Sequence, residues 1–225
     1  MFTKLIKEIL AGKSLARSLA NFAIEKENII LKGKILDLGG RALFWKDNKP
    51  QGASYLRFIK FENTEIVRLD IDKETNPNHE IDFEKDHLPY QDGSIDALLA
   101  FNLLEHVYDH RFLTGEMFRI LKKGGVVAGS VPFLVKIHPD PQDFFRYSEQ
   151  ALERIFKKAG FSEVKIGYAG AGPFTAHYSQ IEFIFPRYLR IFGVAISLLL
   201  DKIILKVKPS LKGKFPLGYI FILKK

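Results

Sequence analysis

Short apolar runs alternate along the chain with stretches of helical spacing. Lys34–Leu38 is the first such run and ends at Asp37, Gly39 and Gly40. Glu65–Leu69 is the second and ends at Asp70. Ile95–Phe101 is apolar without alternation, as a strand buried on both faces should be. Gly125–Val131 is stopped by Pro132, Phe161–Gly167 follows, and Leu217–Leu223 closes the series. A weaker strand is expected near Glu80–Asp82. Between these runs, Arg111–Lys123 places Phe112, Met117, Ile120 and Leu121 near helical spacing before Lys-Lys-Gly-Gly. Ser148 stands as an N-cap for a helix whose stripe is Ala151, Leu152, Ile155, Phe156 and Ala159, with Gly160 as its stop. Strand and helix in alternation predict an α/β fold: a Rossmann-like, doubly wound, mostly parallel sheet with helices on both faces.

Two segments fall outside that alternation. Met1–Phe22 mixes Lys4, Lys7 and Glu8 with apolar residues and predicts one amphipathic helix rather than a signal peptide. Residues 175–214 read as a helical insertion before the last strand. Within it Tyr188–Lys208 predicts a helix on which Arg190, Ser197, Asp201 and Lys208 fall within about 20° of one another, the rest of the circumference being largely apolar.

Composition adds two points. The 225 residues include no cysteine, which excludes disulfides, thiolate zinc sites and cysteine nucleophiles. The net charge of +8 lies wholly in 187–225, where nine Lys and Arg face Asp201 alone. Basic residues interleaved with Ile and Leu suit an anionic membrane surface better than a nucleic-acid groove, so 187–214 is expected to pack on its own core or a second copy in a homodimer, to meet lipid headgroups, or to form a lid over a lipidic acceptor. No apolar run reaches the length of a membrane span. The expected location is cytoplasmic, peripheral at the inner face of the membrane.

Ligands of such sheets bind beyond the carboxyl ends of the strands, where strand order reverses. Asp37, Gly39 and Gly40 stand at the first such end, offering a carboxylate for a cationic amino group and glycines for close backbone approach. Asp70 stands at the second, suited to a ribose diol, with Ile71 beside it. Asp82 and the Phe83 backbone N–H suit an adenine edge, and Asn102 follows the buried strand. A nicotinamide-dinucleotide reading fails on the glycine pattern and on the 31-residue separation of Gly39 from Asp70.

KILDLGG, VRLDID, EIDFEKDHLPYQDGSIDALLAFNLLEHV, ILKKGGVVAGSVPF and FPLGYIFILKK together resemble the class I S-adenosylmethionine-dependent methyltransferases, type 11 branch. The resemblance spans about residues 30–170 and 215–225. It implies a seven-stranded sheet with an antiparallel last strand. It further implies one methyltransferase domain over 1–225, with a helical segment at 1–30, a cofactor-binding core at 31–174, the insertion at 175–214 and the last strand at 215–225. The implied cofactor is S-adenosyl-L-methionine, held by Asp37, Gly39, Gly40, Asp70, Ile71, Asp82, Phe83 and Asn102, with Asn102 near the methyl. The implied acceptor is a small molecule, a glycan or a lipid-linked intermediate. One departure is Arg41, which stands where the family pattern usually carries another glycine. The competing readings are a binding protein that kept the fold without turnover, and the nicotinamide oxidoreductase.

Methyl transfer asks mainly for alignment. On the acceptor side, the proline-stiffened loop Ile137–Tyr147 offers His138 as general base, Asp143 to orient it and Arg146 to pair with an anionic acceptor. The alternative is that Asp143 and Arg146 form a local ion pair that holds the loop. Glu105-His106 is expected to make structural hydrogen bonds and His177 and Tyr178 to line the acceptor pocket, while Phe44, Trp45 and Tyr55 either cover the site or, the commoner fate of aromatics, pack in the core. No metal-ligand spacing is visible, and none is required by the reaction.

Overall fold

The computed structural model describes residues 2–40, 44–46, 49–51 and 54–225. The helices are α1 (Phe2–Leu10), α2 (Leu15–Glu27), α3 (His110–Ile120), α4 (Glu149–Ala159), α5 (Pro173–Ile181) and α6 (Arg187–Val207). The strands are β1 (Ile30–Leu38), β2 (Phe44–Lys46), β3 (Lys49–Gln51), β4 (Lys60–Asp70), β5 (His79–Glu80), β6 (Ile95–Phe101), β7 (Leu121–Pro132), β8 (Glu163–Ala169) and β9 (Gly218–Lys224). Among the described residues, seven strands form one sheet in the order β5-β4-β1-β6-β7-β9-β8, and β2 pairs with β3 as a separate hairpin. The pairs β4·β1, β1·β6 and β6·β7 are parallel, while β9 runs antiparallel to both β7 and β8.

Apolar burial on both faces holds the sheet. On one face Leu36, Leu38, Leu98 and Val127 pack with Met117 of α3 and Leu152 and Phe156 of α4. On the other, Ile35, Ala97, Leu99 and Ala128 meet Ile24 of α2 and Tyr55, Leu56 and Ile59. Successive residues of β1 and β6 thus serve opposite cores, the period of two expected of a strand. The predicted cap of α4 forms, the Ser148 hydroxyl accepting from the Ala151 N–H and Gly160 closing the helix in the left-handed region.

Several boundaries differ from the sequence reading. The N-terminal segment is two helices, broken where Gly12 takes a φ of +87° and Ser14 caps α2 by accepting from the Arg17 N–H. Helix α3 stops at Ile120 rather than at Lys123, because Leu121 already pairs with Ile95 as the start of β7. Strand β4 begins five residues before the apolar run, its polar first half pairing with Ile30–Gly33. Strand β5 is only His79–Glu80, so Asp82 lies in the turn beyond it.

The insertion holds the largest difference. The polar stripe of α6 faces inward: Ser197 and Asp201 are buried beside Val194. Asp201 caps α5, its carboxylate accepting from the backbone N–H groups of Phe174 (2.8 Å) and Thr175 (3.0 Å) and from the Thr175 hydroxyl (2.7 Å). Charge-assisted bonds at a helix N-terminus are the strong kind. The opposite side of α6 leaves Tyr188, Leu189, Phe192, Ile196, Leu199, Ile203 and Val207 exposed, within an arc of roughly 120°. No helix among the described residues is long and apolar enough to cross a membrane.

Replacing Asp201 with Ala leaves two α5 N–H groups without their acceptor, and the Thr175 hydroxyl with the Gly172 carbonyl alone. The expected cost is on the order of 2–3 kcal/mol of unfolding free energy by urea denaturation. A change below about 0.5 kcal/mol would contradict this account of how α6 is seated.

Candidate functional site

The strand order reverses around β1, with β4 on one side and β6 on the other. Beyond the carboxyl ends of these strands lies a cleft of about 520 Å³, lined among others by Gly39, Asp70, Ile71, Asp82, Phe83, Asn102, Leu103, His106 and Asp140–Gln142. That volume suits a nucleoside-sized ligand.

Gly39 ends β1 at a φ of +68° and donates its N–H to the Leu69 carbonyl at 2.8 Å, tying the turn to β4. A side chain there would be strained by the backbone and would press on Leu103, whose Cδ1 would lie 2.9 Å from its Cβ. Gly40 is also required: a Cβ on it would fall 2.1 Å from Asp37 Oδ2. Asp70, nearly buried, closes β4 and accepts from the Asp72 N–H at 2.9 Å, while its own carbonyl accepts from the Ile81 N–H at 3.0 Å. Asp82 accepts from the Glu84 N–H at 3.0 Å and pairs with Lys85 at 2.7 Å, and that pairing holds its carboxyl below the usual range. Phe83 is buried against the sheet core. Asn102 turns the chain out of β6 at a φ of +52°, and the Ser130 hydroxyl donates to its Oδ1 at 3.0 Å. The cleft wall also carries Asp72, Glu84 and Asp140, with Lys85 as the one basic residue among those lining it, so its field favours a cation.

Asp37 sits behind the wall rather than in it. It is fully buried, and among the described residues neither carboxylate oxygen has a hydrogen-bond partner. Burial raises its pKa to about 7, and Arg68 opposes the rise only in part. The turn that follows contains Arg41, which lies outside the described residues, as do the side chains of Phe44 and Trp45. Tyr55 is stacked on Phe101 at 4.2 Å in the core and does not line the cleft.

The loop 137–147 bends back on itself. Asp140, Pro141 and Gln142 reach the cleft, whereas His138, Asp143 and Arg146 do not line it. Arg146 pairs with both carboxylate oxygens of Asp143 and donates to the carbonyls of Phe145 (2.8 Å) and Lys136 (3.3 Å). Asp143 in turn accepts from the His138 N–H at 2.9 Å, and the Arg146 guanidinium holds its carboxyl far below the usual range. These two residues form the local ion pair and tie the loop down, away from the cleft lining. His138 stacks edge-on behind His106, ring centres 5.2 Å apart, so the imidazole at the cleft is His106. The Glu105 carboxylate facing the His138 ring raises that ring's pKa. Tyr178 packs into the insertion, its hydroxyl donating to the Arg190 carbonyl at 3.3 Å, and neither it nor His177 lines the cleft. Sequence reasoning gave His106 a structural role. The signal that its ring fronts the cleft is the Asn102–Val107 turn, which follows β6 directly.

Asp37 sets a pH dependence. Its folded pKa lies above the unfolded value, so folding binds a proton between about pH 4 and 7, and stability falls as pH rises through that window. The destabilisation is complete above about pH 7. Unfolding free energies of the wild type from urea denaturation are expected to fall between pH 5 and 7, by up to about 1.4 kcal/mol per pH unit, and those of Asp37→Asn to stay comparatively flat. Parallel profiles would overturn the assignment.

A profile described as "Methyltransferase domain" (type 11) matches residues 52–129. A probable S-adenosylmethionine-dependent methyltransferase of Mycolicibacterium smegmatis is 33% identical over 93 residues, covering 38% of this chain and 36% of that protein. This chain therefore matches little more than a third of that relative's length. Among solved structures, an S-adenosylmethionine-dependent methyltransferase from Archaeoglobus fulgidus superposes with a TM-score of 0.59 at 17% identity, covering 93% of this chain and 94% of its own. Phosphoethanolamine N-methyltransferase 2 of Haemonchus contortus, in complex with S-adenosyl-L-methionine, superposes at 0.53 with 16% identity, covering 92% of this chain and 52% of its own. The sheet order and the cleft at its reversal are a fold that this chain shares with those structures, and residues 52–129 are similar to the methyltransferase-domain profile.

Proposed function

We propose that the chain transfers the methyl group of S-adenosyl-L-methionine to a small-molecule, glycan or lipid-linked acceptor by in-line displacement. The observation that carries this reading is the acidic cleft at the β1 reversal, with Gly39, Asp70, Asp82 and Asn102 on its wall. The residues fit the cofactor. Asp70 suits the ribose hydroxyls, Asp82 and the Phe83 N–H the adenine edge, and Asn102 the region of the methyl. Gly39 and Gly40 keep the turn close against Leu103 and Asp37, where a Cβ would collide. Asp37, a buried carboxylate with no hydrogen-bond partner among the described residues, suits the cationic amino end. The cofactor supplies an electrophilic methyl on a sulfonium, with a neutral thioether as leaving group. The chain contributes binding, alignment and exclusion of water. The acidic wall also favours the sulfonium over the neutral thioether that remains after transfer. The acceptor enters on the side of His106 and Asp140–Gln142.

Calorimetry with S-adenosyl-L-methionine, its demethylated product and NAD tests this reading. One site for the first two and none for NAD is expected. Asp70→Ala should weaken binding by about 10- to 100-fold, the loss of hydrogen bonds to a charged group. Binding of NAD alone would refute the proposal, and binding of none of the three would favour a fold kept without this activity.

The exposed face of α6 supports a location as well. Apolar residues line it, Lys202 and Lys206 flank it, and Lys208, Lys212 and Lys214 follow it, all exposed. Such a face suits a cytoplasmic protein lying peripherally on an anionic membrane, which would bring lipid-linked acceptors to the cleft. The whole chain is expected to sediment with anionic vesicles, less so at high salt, and at least about 10-fold more weakly with neutral ones. Equal affinity for both, or burial of this face in a stable homodimer, would overturn the membrane reading.

A further inference from the structure

We propose that Glu105, His106 and His138 form a site for one divalent transition-metal ion, such as Zn²⁺, at the acceptor edge of the cleft. One ligand atom from each lies within 4.8 Å of the other two. Glu105 is fully buried, and neither of its carboxylate oxygens has a hydrogen-bond partner among the described residues. A buried carboxylate without a partner is costly and needs a compensating cation.

The two imidazoles are oriented for that role. His138 Nδ1 lies 3.0 Å from the Lys136 carbonyl, and His106 Nδ1 meets the Gln142 carbonyl. A carbonyl can only accept, so in each ring Nδ1 carries the proton and Nε2 of the neutral ring presents a lone pair. Both Nε2 atoms face Glu105 Oε1, at 3.7 Å for His106 and 3.8 Å for His138. With both rings neutral three acceptors converge, whereas a protonated His138 would turn an N–H towards Glu105, the place that the ion takes when it binds. These separations are too long for a hydrogen bond, which is about 2.7–3.2 Å. They are within reach of two ligands that share an ion at about 2.0–2.1 Å from each. A proton on one ring would serve one pair, whereas a metal serves all three groups. The Nδ1–carbonyl bonds fix tautomer and ring plane, as they do around imidazole metal ligands generally.

The backbone holds the site closed. The N–H of Phe144 donates to the Glu105 carbonyl at 2.8 Å, and the Tyr147 hydroxyl to the Leu104 carbonyl at 3.1 Å, which pins the loop over the Glu105 turn. Imidazole and carboxylate ligands suit Zn²⁺, Fe²⁺ or Co²⁺ over Mg²⁺ or Ca²⁺. Three protein ligands leave a position open, and His106 places it beside the cleft. On the reading of the cleft as a methyl-transfer site, that position would meet an oxygen of the acceptor, and a metal there would ease its ionisation.

The test is metal binding itself. Chelator-treated full-length protein is titrated with Zn²⁺ by calorimetry, and with Co²⁺ by visible absorption. One ion per chain and a d–d band for Co²⁺ are expected, with a raised unfolding temperature in the metal-bound form. His138→Ala, at a partly exposed ring, should keep the fold by circular dichroism and weaken binding by about 100-fold. Glu105→Gln should do the same. Absence of saturable binding, or wild-type affinity in folded His138→Ala, would overturn the proposal. S-adenosyl-L-methionine is titrated into the same samples. Cofactor binding without metal binding would sink the metal site alone, and metal binding without cofactor binding would sink the methyltransferase reading alone.

Discussion

The reversal of strand order at β1 is the constraint on which the rest depends. Parallel strands return by crossovers of one hand, so connections that leave β1 towards β4 and those that leave β6 towards β7 cover opposite faces. The turns after β1 and β6 therefore part, and the sheet cannot close its own carboxyl edge there. Every residue at the site inherits its place from that gap. Gly39 ends β1 tied to Leu69, Asp70 ends β4, and Asn102 ends β6 under the Ser130 hydroxyl. These three positions sit at strand ends, while Asp82–Lys85 and Asp140–Gln142 complete the wall from loops.

What the sequence made legible follows from the same constraint. Strands buried on both faces, such as Ile95–Phe101, announce themselves as unbroken apolar runs, and the acids and glycines at their ends mark the site in chain order. Boundaries were legible only where composition changes sharply. The polar first half of β4 is held by pairing with β1, which no local pattern reports, and Lys122-Lys123 looks like the basic end of a helix although Leu121 has already entered the sheet. The loop 137–147 was less legible for a different reason. Its polar residues are the right kinds for chemistry, but Arg146 and the Asp143 carboxylate satisfy each other and nearby carbonyls, and only coordinates show which polar groups are already spent. Glu105, His106 and His138 meet across 33 residues of chain, a separation that hides them from any spacing rule.

Helix α6 shows how far periodicity carries. The pattern located a polar stripe and a broad apolar remainder, and both are real. It did not say which side faces the protein. A stripe of Ser197 and Asp201 turns inward because Asp201 finds two N–H groups and a hydroxyl at the start of α5, donors that must be capped somewhere. That polar contact, together with Val194, Ile191 and Leu198 packed on the Leu5, Ile9 and Leu15 cluster, seats the helix and leaves the rest of its apolar circumference outward.

The site also runs against stability. Asp37 and Glu105 are fully buried carboxylates that lack hydrogen-bond partners among the described residues, and both lie at the carboxyl edge, one beside each end of the cleft. Hydrophobic replacements would cost the fold less than either acid. Their shared location is therefore better explained by the charge each would hold than by the structure each supports: an ammonium at one end, a metal ion at the other. Each cation would arrive at a carboxylate that water does not reach, where the attraction is strongest and where no hydrogen bond has to be broken first. A cleft built this way should gain stability from its ligands, because the groups that weaken the empty fold are the ones that hold them.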